Sequence, residues 1–142
     1  MDEFRAQYRS TYASVRVARR ALVSFVRAHG LGGQAVEDFE IAIGEALANA
    51  AEHGHVEGAT FQVHARVEPG GALTVEVKDD GPGFAGWNDA SFVKPASSAP
   101  RGLGIVIMRK LMDRVEYADG GTCVRLFKRF DPAAFEDVQQ EA

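Results

Sequence analysis

A chain of 142 residues, 46% of them hydrophobic, has the size and apolar content of a single domain with one core. The net charge of −4 argues against nucleic acid as the main partner. No segment approaches the ~20 apolar residues of a membrane helix, and MDEFRAQYRS at the N-terminus lacks the apolar region of a signal peptide. The single cysteine, Cys123, cannot form an internal disulfide, so we expect a cytoplasmic protein with no membrane partner.

The first third of the chain predicts two helices. Residues 11–30 carry apolar side chains at helical spacing, and Gly30 can end that helix. Residues 34–54 form a second periodic segment that stops at Gly54. Its apolar stripe contains Val36, Phe39, Ile43, Ala46, Leu47 and Ala50.

The pattern then changes to strands. Residues 60–79 alternate with period two around a Pro-Gly-Gly turn, which predicts a hairpin. Residues 85–100 show neither period, as expected of a functional or mobile loop, and 101–115 predict a helix opened by glycines. Residues 121–130 predict a final strand. This order favours an α+β sandwich in which one sheet is covered on one face, with a single domain at 1–130 and a tail at 131–142.

Two adjacent acids end the second hairpin strand in the stretch TVEVKDDGPGF. Alternation places Asp79 in the row of buried side chains and Asp80 among the solvent-facing ones. A buried carboxylate needs a hydrogen-bond partner, and either a ligand or the backbone of the turn can supply it. Gly81 and Gly83 let a ligand approach the backbone closely.

A polar stripe on the second helix marks another candidate. Glu45, Asn49 and His53 follow one another at intervals of four residues, so they share one face. Such a face is commonly solvated, but a carboxylate and an amide one turn apart also suit Mg²⁺ that retains waters. The pair His53 and His55 matches no zinc-binding spacing.

The third candidate is RGLGI at residues 101–105. Gly102 and Gly104 expose backbone N–H groups where a helix begins, and Arg101 adds a guanidinium group suited to phosphate oxygens. A glycine-rich helix start without a ligand is the alternative. The segment matches neither a Walker P-loop nor a dinucleotide-binding fingerprint.

Taken together and in this order, the three segments resemble the ATP-binding domains of the GHKL superfamily. EALANAAEH (45–53), DDGPGF (79–84) and RGLGI (101–105) look like its N, G1 and G2 boxes, and the similarity runs from Val36 to Phe127. Within the superfamily the chain is most similar to small serine/threonine kinases that act as anti-sigma factors in bacterial partner-switching systems. The short lid and the segment RGLGIVIMRKLMDRVEY carry this closer likeness.

The resemblance implies the Bergerat ATP-binding fold, a two-layer sandwich with a mixed, mostly antiparallel sheet and helices on one face. It implies that Asp79 accepts a hydrogen bond from the adenine amino group, supported through water by Thr122. The loop containing Gly81 and Gly83 would then lie against the base.

For the phosphates, the resemblance implies that Asn49 coordinates Mg²⁺ and that Glu45 is the general base toward a partner's serine hydroxyl. Four residues would line the triphosphate, with Arg101 near the γ-phosphate: Arg101, Gly102, Leu103 and Gly104. The same boxes imply that the nucleotide-binding set also includes His53, Phe84 and Ile105. The chain departs from the family pattern at Ala85, where an acid is common, and at His55, where an aromatic residue is frequent.

The implied function is an ATP-dependent protein serine/threonine kinase that binds a sigma factor and phosphorylates a STAS-domain antagonist. A homodimer through the N-terminal segment and first helix is also implied. The alternative is a catalytically inactive ATP-binding or partner-binding module of the same fold. A histidine-kinase catalytic domain ranks third, because about 35 residues before the N box leave little room for a phospho-accepting helical hairpin.

Overall fold

The computed structural model of the protein describes residues 2–53, 57–83 and 102–130, and for His53 and Leu103 it describes the backbone alone. Helix α1 spans Tyr12–Ala28, close to its predicted bounds. Its N-cap is Thr11, whose hydroxyl oxygen accepts a backbone N–H of the first turn at 3.1 Å. At its end Gly30 adopts a φ of 101°, and Leu31 donates its N–H to the Val26 carbonyl at 3.0 Å. This is a Schellman ending, which requires the left-handed conformation that glycine tolerates.

Helix α2 spans Gly33–His53, as the periodicity predicts. It lies between α1 and a third helix, α3, which spans Gly102–Leu111. It also packs on two neighbouring strands of the sheet, which form a hairpin. The side chains that it buries form much of the core, and they are Val36, Phe39, Ala42, Ile43, Ala46, Leu47, Ala50 and Ala51.

The predicted hairpin consists of β2, Thr60–Glu68, and β3, Ala72–Asp79. Their pairing is antiparallel, and buried side chains alternate with more exposed ones along both strands. The last predicted strand, β5, spans Cys123–Arg129 and pairs with β3. The hydrophobic row of the hairpin therefore faces the helices, and the polar row faces away from them.

Two further strands complete the sheet and were not predicted. Strand β1, Asp2–Arg9, pairs with β2, and strand β4, Arg114–Ala118, pairs with β5. The expectation of a helix through residue 115 was wrong, because α3 ends at Leu111 and the chain turns into β4. The polypeptide gains a ladder of backbone hydrogen bonds with β5 there, which is long-range pairing that local periodicity does not reveal.

The strand order is β1-β2-β3-β5-β4, and all four pairings are antiparallel among the described residues. The α+β class with helices against one face of the sheet is confirmed. None of the described helices is long and apolar enough to span a membrane.

Candidate functional site

Asp79 lies at the end of β3, and it is half-buried. Its Oδ1 accepts a hydrogen bond from the backbone N–H of Gly81 at 2.8 Å, so the carboxylate closes the turn that follows the strand. Its own N–H donates to the carbonyl oxygen of Thr122 at 2.9 Å. This second bond joins the end of β3 to the residue that precedes β5.

Asp80 has different surroundings. Its side chain is exposed, and Oδ2 accepts hydrogen bonds from the N–H and the hydroxyl of Thr60 at 3.2 and 3.1 Å. The two acids therefore point to opposite sides, as the alternation in β3 indicates. Asp80 holds the start of β2, whereas Asp79 is directed toward the helices.

A cavity lies between α2 and the sheet at the end of β3. Apart from the hydroxyl group of Tyr117, three of its lining residues have polar side chains, and they come from three separate segments of the chain: Asn49, Asp79 and Thr122. Small or apolar residues and one aromatic residue form the rest of the described lining, namely Ala46, Ala50, Val77, Tyr117, Gly121 and Val124. The slot has a volume of about 10 Å³, enough for about one water molecule, so it has to widen to admit a larger ligand. Its mostly apolar lining with a few convergent polar groups is typical of small-molecule sites.

The rim of this cavity is a tight turn before β5. Thr122 donates its hydroxyl to the carbonyl oxygen of Asp119 at 2.8 Å. Among the described residues, Asp119 is the one non-glycine residue with a positive φ, and that φ is 54°. A conformation of this kind carries a steric cost and is often found at functional sites.

The loop after β3 touches this turn. Gly83 has a φ of 73°, and a Cβ built on it would lie 1.9 Å from the carbonyl oxygen of Gly120. Any other residue at this position would force the two loops apart. Gly83 is therefore required here by both its backbone conformation and the lack of space.

Glu45 and Asn49 occupy the face of α2 that meets α3. Both are half-buried, so this part of the polar stripe is not a freely solvated helix face. A Cβ on Gly104 would lie 2.8 Å from Oε2 of Glu45 and 3.7 Å from Nδ2 of Asn49. A side chain at residue 104 would therefore displace the Glu45 carboxylate from its present position, while its distance to the Asn49 amide would be an ordinary contact.

Several other candidate residues lie wholly or partly outside the described residues. Phe84, Arg101 and the loop 85–100 fall outside the described residues, and for His53 and Leu103 only the backbone is described. Ile105 is 1% exposed and belongs to the hydrophobic core. The structure thus brings Glu45, Asn49, Asp79, Gly81, Gly83, Gly104 and Thr122 to one end of the sheet and its covering helices.

Tyr117 is a lining residue that the sequence argument missed, because it lies on the unpredicted strand β4. The alternation of Val115 and Tyr117 with charged neighbours was the available signal. Burial raises the pKa of the Tyr117 phenol to about 12, against a smaller opposing effect of Arg109. The hydroxyl group is therefore neutral at physiological pH.

Cys123 does not contribute a nucleophile to this region. Burial, assisted by the charge of Glu76, raises the pKa of its thiol to about 11. The thiolate is the reactive form of cysteine, so this thiol is inert near neutral pH.

The protein belongs to the family of histidine kinase-like ATPase domains, whose model matches residues 8–128. This match confirms the resemblance drawn from the three sequence segments. No curated protein matches the chain at a significant level.

Solved structures show the same fold. The chain is similar to the RsbU and RsbW domains of Rv1364c from Mycobacterium tuberculosis, with a TM-score of 0.63 and 21% identity, covering 91% of this chain and 32% of that one. It is also similar to the histidine kinase domain of the blue-light activated histidine kinase EL346 from Erythrobacter litoralis. That match has a TM-score of 0.56 and 20% identity, and it covers 87% of this chain and 65% of the other. Each of these proteins is longer than the part that the chain matches.

Proposed function

We propose that the protein is an ATP-dependent serine/threonine kinase that acts as an anti-sigma factor. It would bind a sigma factor in the cytoplasm and phosphorylate a STAS-domain antagonist. The observation that carries the proposal is the placement of Glu45 and Asn49 next to the position that a Cβ on Gly104 would occupy, beside a cavity lined by Asn49, Asp79 and Thr122. Membership of the histidine kinase-like ATPase family supports ATP as the ligand, and the RsbW domain in a similar solved structure is consistent with partner switching.

The adenine base would occupy the cavity between α2 and the sheet. Asp79 is the carboxylate in its lining, and it would accept the hydrogen bond of the exocyclic amino group. Gly81 and Gly83 shape the loop on one side, and Thr122 would support the base through water. The bond from Gly81 to Asp79 is compatible with this role, because a carboxylate accepts several hydrogen bonds.

The phosphates would lie where α2 meets the start of α3. Asn49 would hold Mg²⁺ through its amide oxygen. Its amide group lies beside the space that a side chain at residue 104 would fill, with Nδ2 3.7 Å from a Cβ built there. When bound, Mg²⁺ would neutralise charge on the phosphate oxygens. The residues proposed to line the nucleotide here are His53, Phe84, Arg101, Gly102, Leu103 and Gly104. Ile105 would contribute only its backbone, because its side chain is buried in the core.

Glu45 would take the proton from the hydroxyl of the antagonist's serine as its oxygen attacks the γ-phosphorus atom. The bond from that phosphorus to the β,γ-bridging oxygen would break, and ADP would leave. Phosphoryl transfer depends mainly on positioning and on charge stabilisation, so one base placed one helical turn from the metal ligand is sufficient. Arg101 would stabilise negative charge on the γ-phosphate. A homodimer through β1 and α1 is compatible with these roles.

The proposal is tested by incubating the protein with labelled ATP, Mg²⁺ and the STAS-domain protein encoded nearby. Glu45→Ala should slow transfer of the label by about a hundred- to ten-thousand-fold. Glu40→Ala is the matched control, because Glu40 is exposed on the same helix. Asn49→Ala should lose Mg²⁺-dependent nucleotide binding as well as transfer.

Co-elution with the sigma factor separates catalysis from partner binding, and it should survive Glu45→Ala. Undiminished transfer by Glu45→Ala would remove the general-base assignment. If the unmodified protein transferred no label to its proper partner, the result would favour an inactive ATP-binding or partner-binding module.

A further inference from the structure

Strand β4 contributes one large aromatic side chain to the cavity. Tyr117 pairs in register with Val124 of β5, which also lines the cavity, so both side chains are on the face of the sheet that the helices cover. Opposite them, α2 presents the small side chains Ala46 and Ala50. The result is a slot with a phenol ring on the sheet side and methyl groups on the helix side.

We propose that Tyr117 is a nucleobase-recognition residue whose ring packs against the bound purine. This inference rests on the proposed function, since it assumes that the cavity binds a nucleotide. Aromatic rings favour offset-stacked or edge-to-face contact with flat heterocycles, and such contacts add to the gain from burial alone. Asp79 would read the hydrogen-bonding edge of the base, and Tyr117 would contact its ring.

The chemistry of the phenol supports this role. A tyrosine hydroxyl group is protonated at neutral pH, so the residue adds no charge that would oppose the carboxylate of Asp79. A Tyr117→Phe variant keeps the ring and its packing, whereas Tyr117→Leu removes the aromatic surface and leaves a smaller apolar side chain at the same position. The pair therefore separates ring contact from simple occupation of the core.

The first measurement is the ATP affinity of the full chain by calorimetry with Mg²⁺. Tyr117→Leu should bind ATP about three- to tenfold more weakly, and Tyr117→Phe should stay within about twofold of the unmodified protein. Tyr12→Leu is the control, because Tyr12 is 66% exposed on α1 and is not among the described lining residues of the cavity, and the change removes its surface hydrogen bond to Glu52. The affinity should be unchanged in that control.

The second measurement does not depend on a substitution that perturbs the core. The chain has three tyrosines, so labelling with 3-fluorotyrosine should give three ¹⁹F resonances, and the one lost in Tyr117→Phe is that of Tyr117. ATP should shift this resonance, whereas inorganic tripolyphosphate, which has no base, should leave it in place. The resonances of Tyr8 and Tyr12 serve as internal references.

A Tyr117 resonance that stays in place under saturating ATP, together with unchanged affinity in Tyr117→Leu, would overturn this inference and leave the proposed function intact. If the unmodified protein failed to bind ATP at all, both would be overturned. A shift of the Tyr117 resonance by ATP alone supports the inference even if Tyr117→Leu does not fold.

Discussion

Single residues at the end of β3 show how neighbouring side chains of the same type take different roles. Asp79 and Asp80 differ only in the face of the strand that they occupy, and that difference directs one toward the cavity and the other toward Thr60. Alternation along the strand was sufficient to predict these orientations. The role of Asp79 as the adenine acceptor stays a prediction.

Gly83 gives a residue-scale prediction. Gly83→Ala should weaken ATP binding at least about tenfold, because its Cβ would lie 1.9 Å from the Gly120 carbonyl oxygen and would separate the loops at the cavity rim. Gly70→Ala is the matched control, since Gly70 also has a positive φ, +92°, but meets nothing within 4 Å. Calorimetry should show normal binding in the control, despite a similar backbone penalty. Equal loss in both variants would contradict the prediction.

Two glycines at contacts between helices, Gly44 facing α1 and Gly104 facing α2, give a prediction at the scale of elements. Alanine is favoured over glycine in a helix interior by about 0.5–1 kcal/mol, so Gly44→Ala, whose Cβ makes ordinary contact with Arg19 at 3.7 Å, should stabilise the protein. Gly104→Ala should instead displace the Glu45 carboxylate and slow phosphoryl transfer by about ten- to a hundredfold. Thermal unfolding and transfer assays on the two variants check both effects. Full transfer activity in Gly104→Ala would show that Glu45 does not need its present position.

The sheet provides a pH-dependent prediction. Burial tends to raise the pKa of Glu76, but the 2.7 Å hydrogen bond from Arg125 and the charges of Lys78 and Arg125 outweigh it and lower that pKa. The resulting stabilisation is present above the ordinary value of 4.5 and is lost as the pH falls through the lowered pKa. Glu76→Gln should therefore lower the free energy of unfolding at pH 7 by up to about 1 kcal/mol, and by less at a second pH below the lowered pKa.

Urea denaturation at the two pH values measures this difference. Glu116→Gln provides the comparison, since its ion pair with Arg114 is more exposed and should contribute less. A destabilisation by Glu76→Gln that is the same at both pH values would contradict the role of its charge.

The elements also show where prediction from the sequence succeeds. Helices α1 and α2 and the β2–β3 hairpin were predicted close to their observed bounds, because each carries a long local period. Strand β4 has five residues, and its state is fixed by pairing with β5 rather than by its own pattern. In strand β1 the aromatic residues Phe4 and Tyr8 alternate with polar residues. The aromatic face packs against the core only when β1 pairs with β2.

At the scale of the whole molecule, the candidate site is assembled from segments far apart in the chain. Asn49, Asp79, Gly104 and Thr122 come from α2, β3, α3 and the turn before β5, and each motif alone was a weak signal. Their order predicted which segments would meet. It did not predict the apolar walls of the cavity, because Val77, Tyr117 and Val124 resemble ordinary core residues in the sequence.

The most direct test of the account is calorimetric binding of ATP with Mg²⁺ to the unmodified protein, Asp79→Asn and Asp80→Asn. The account predicts binding by the unmodified protein and about ten- to a hundredfold weaker binding by Asp79→Asn, since a hydrogen bond to a charged acceptor contributes about 1.5–3 kcal/mol. Asp80→Asn should bind nearly normally, because Asp80 contacts Thr60 on the other side of the strand. Equal losses in the two variants, or no binding by the unmodified protein, would contradict it.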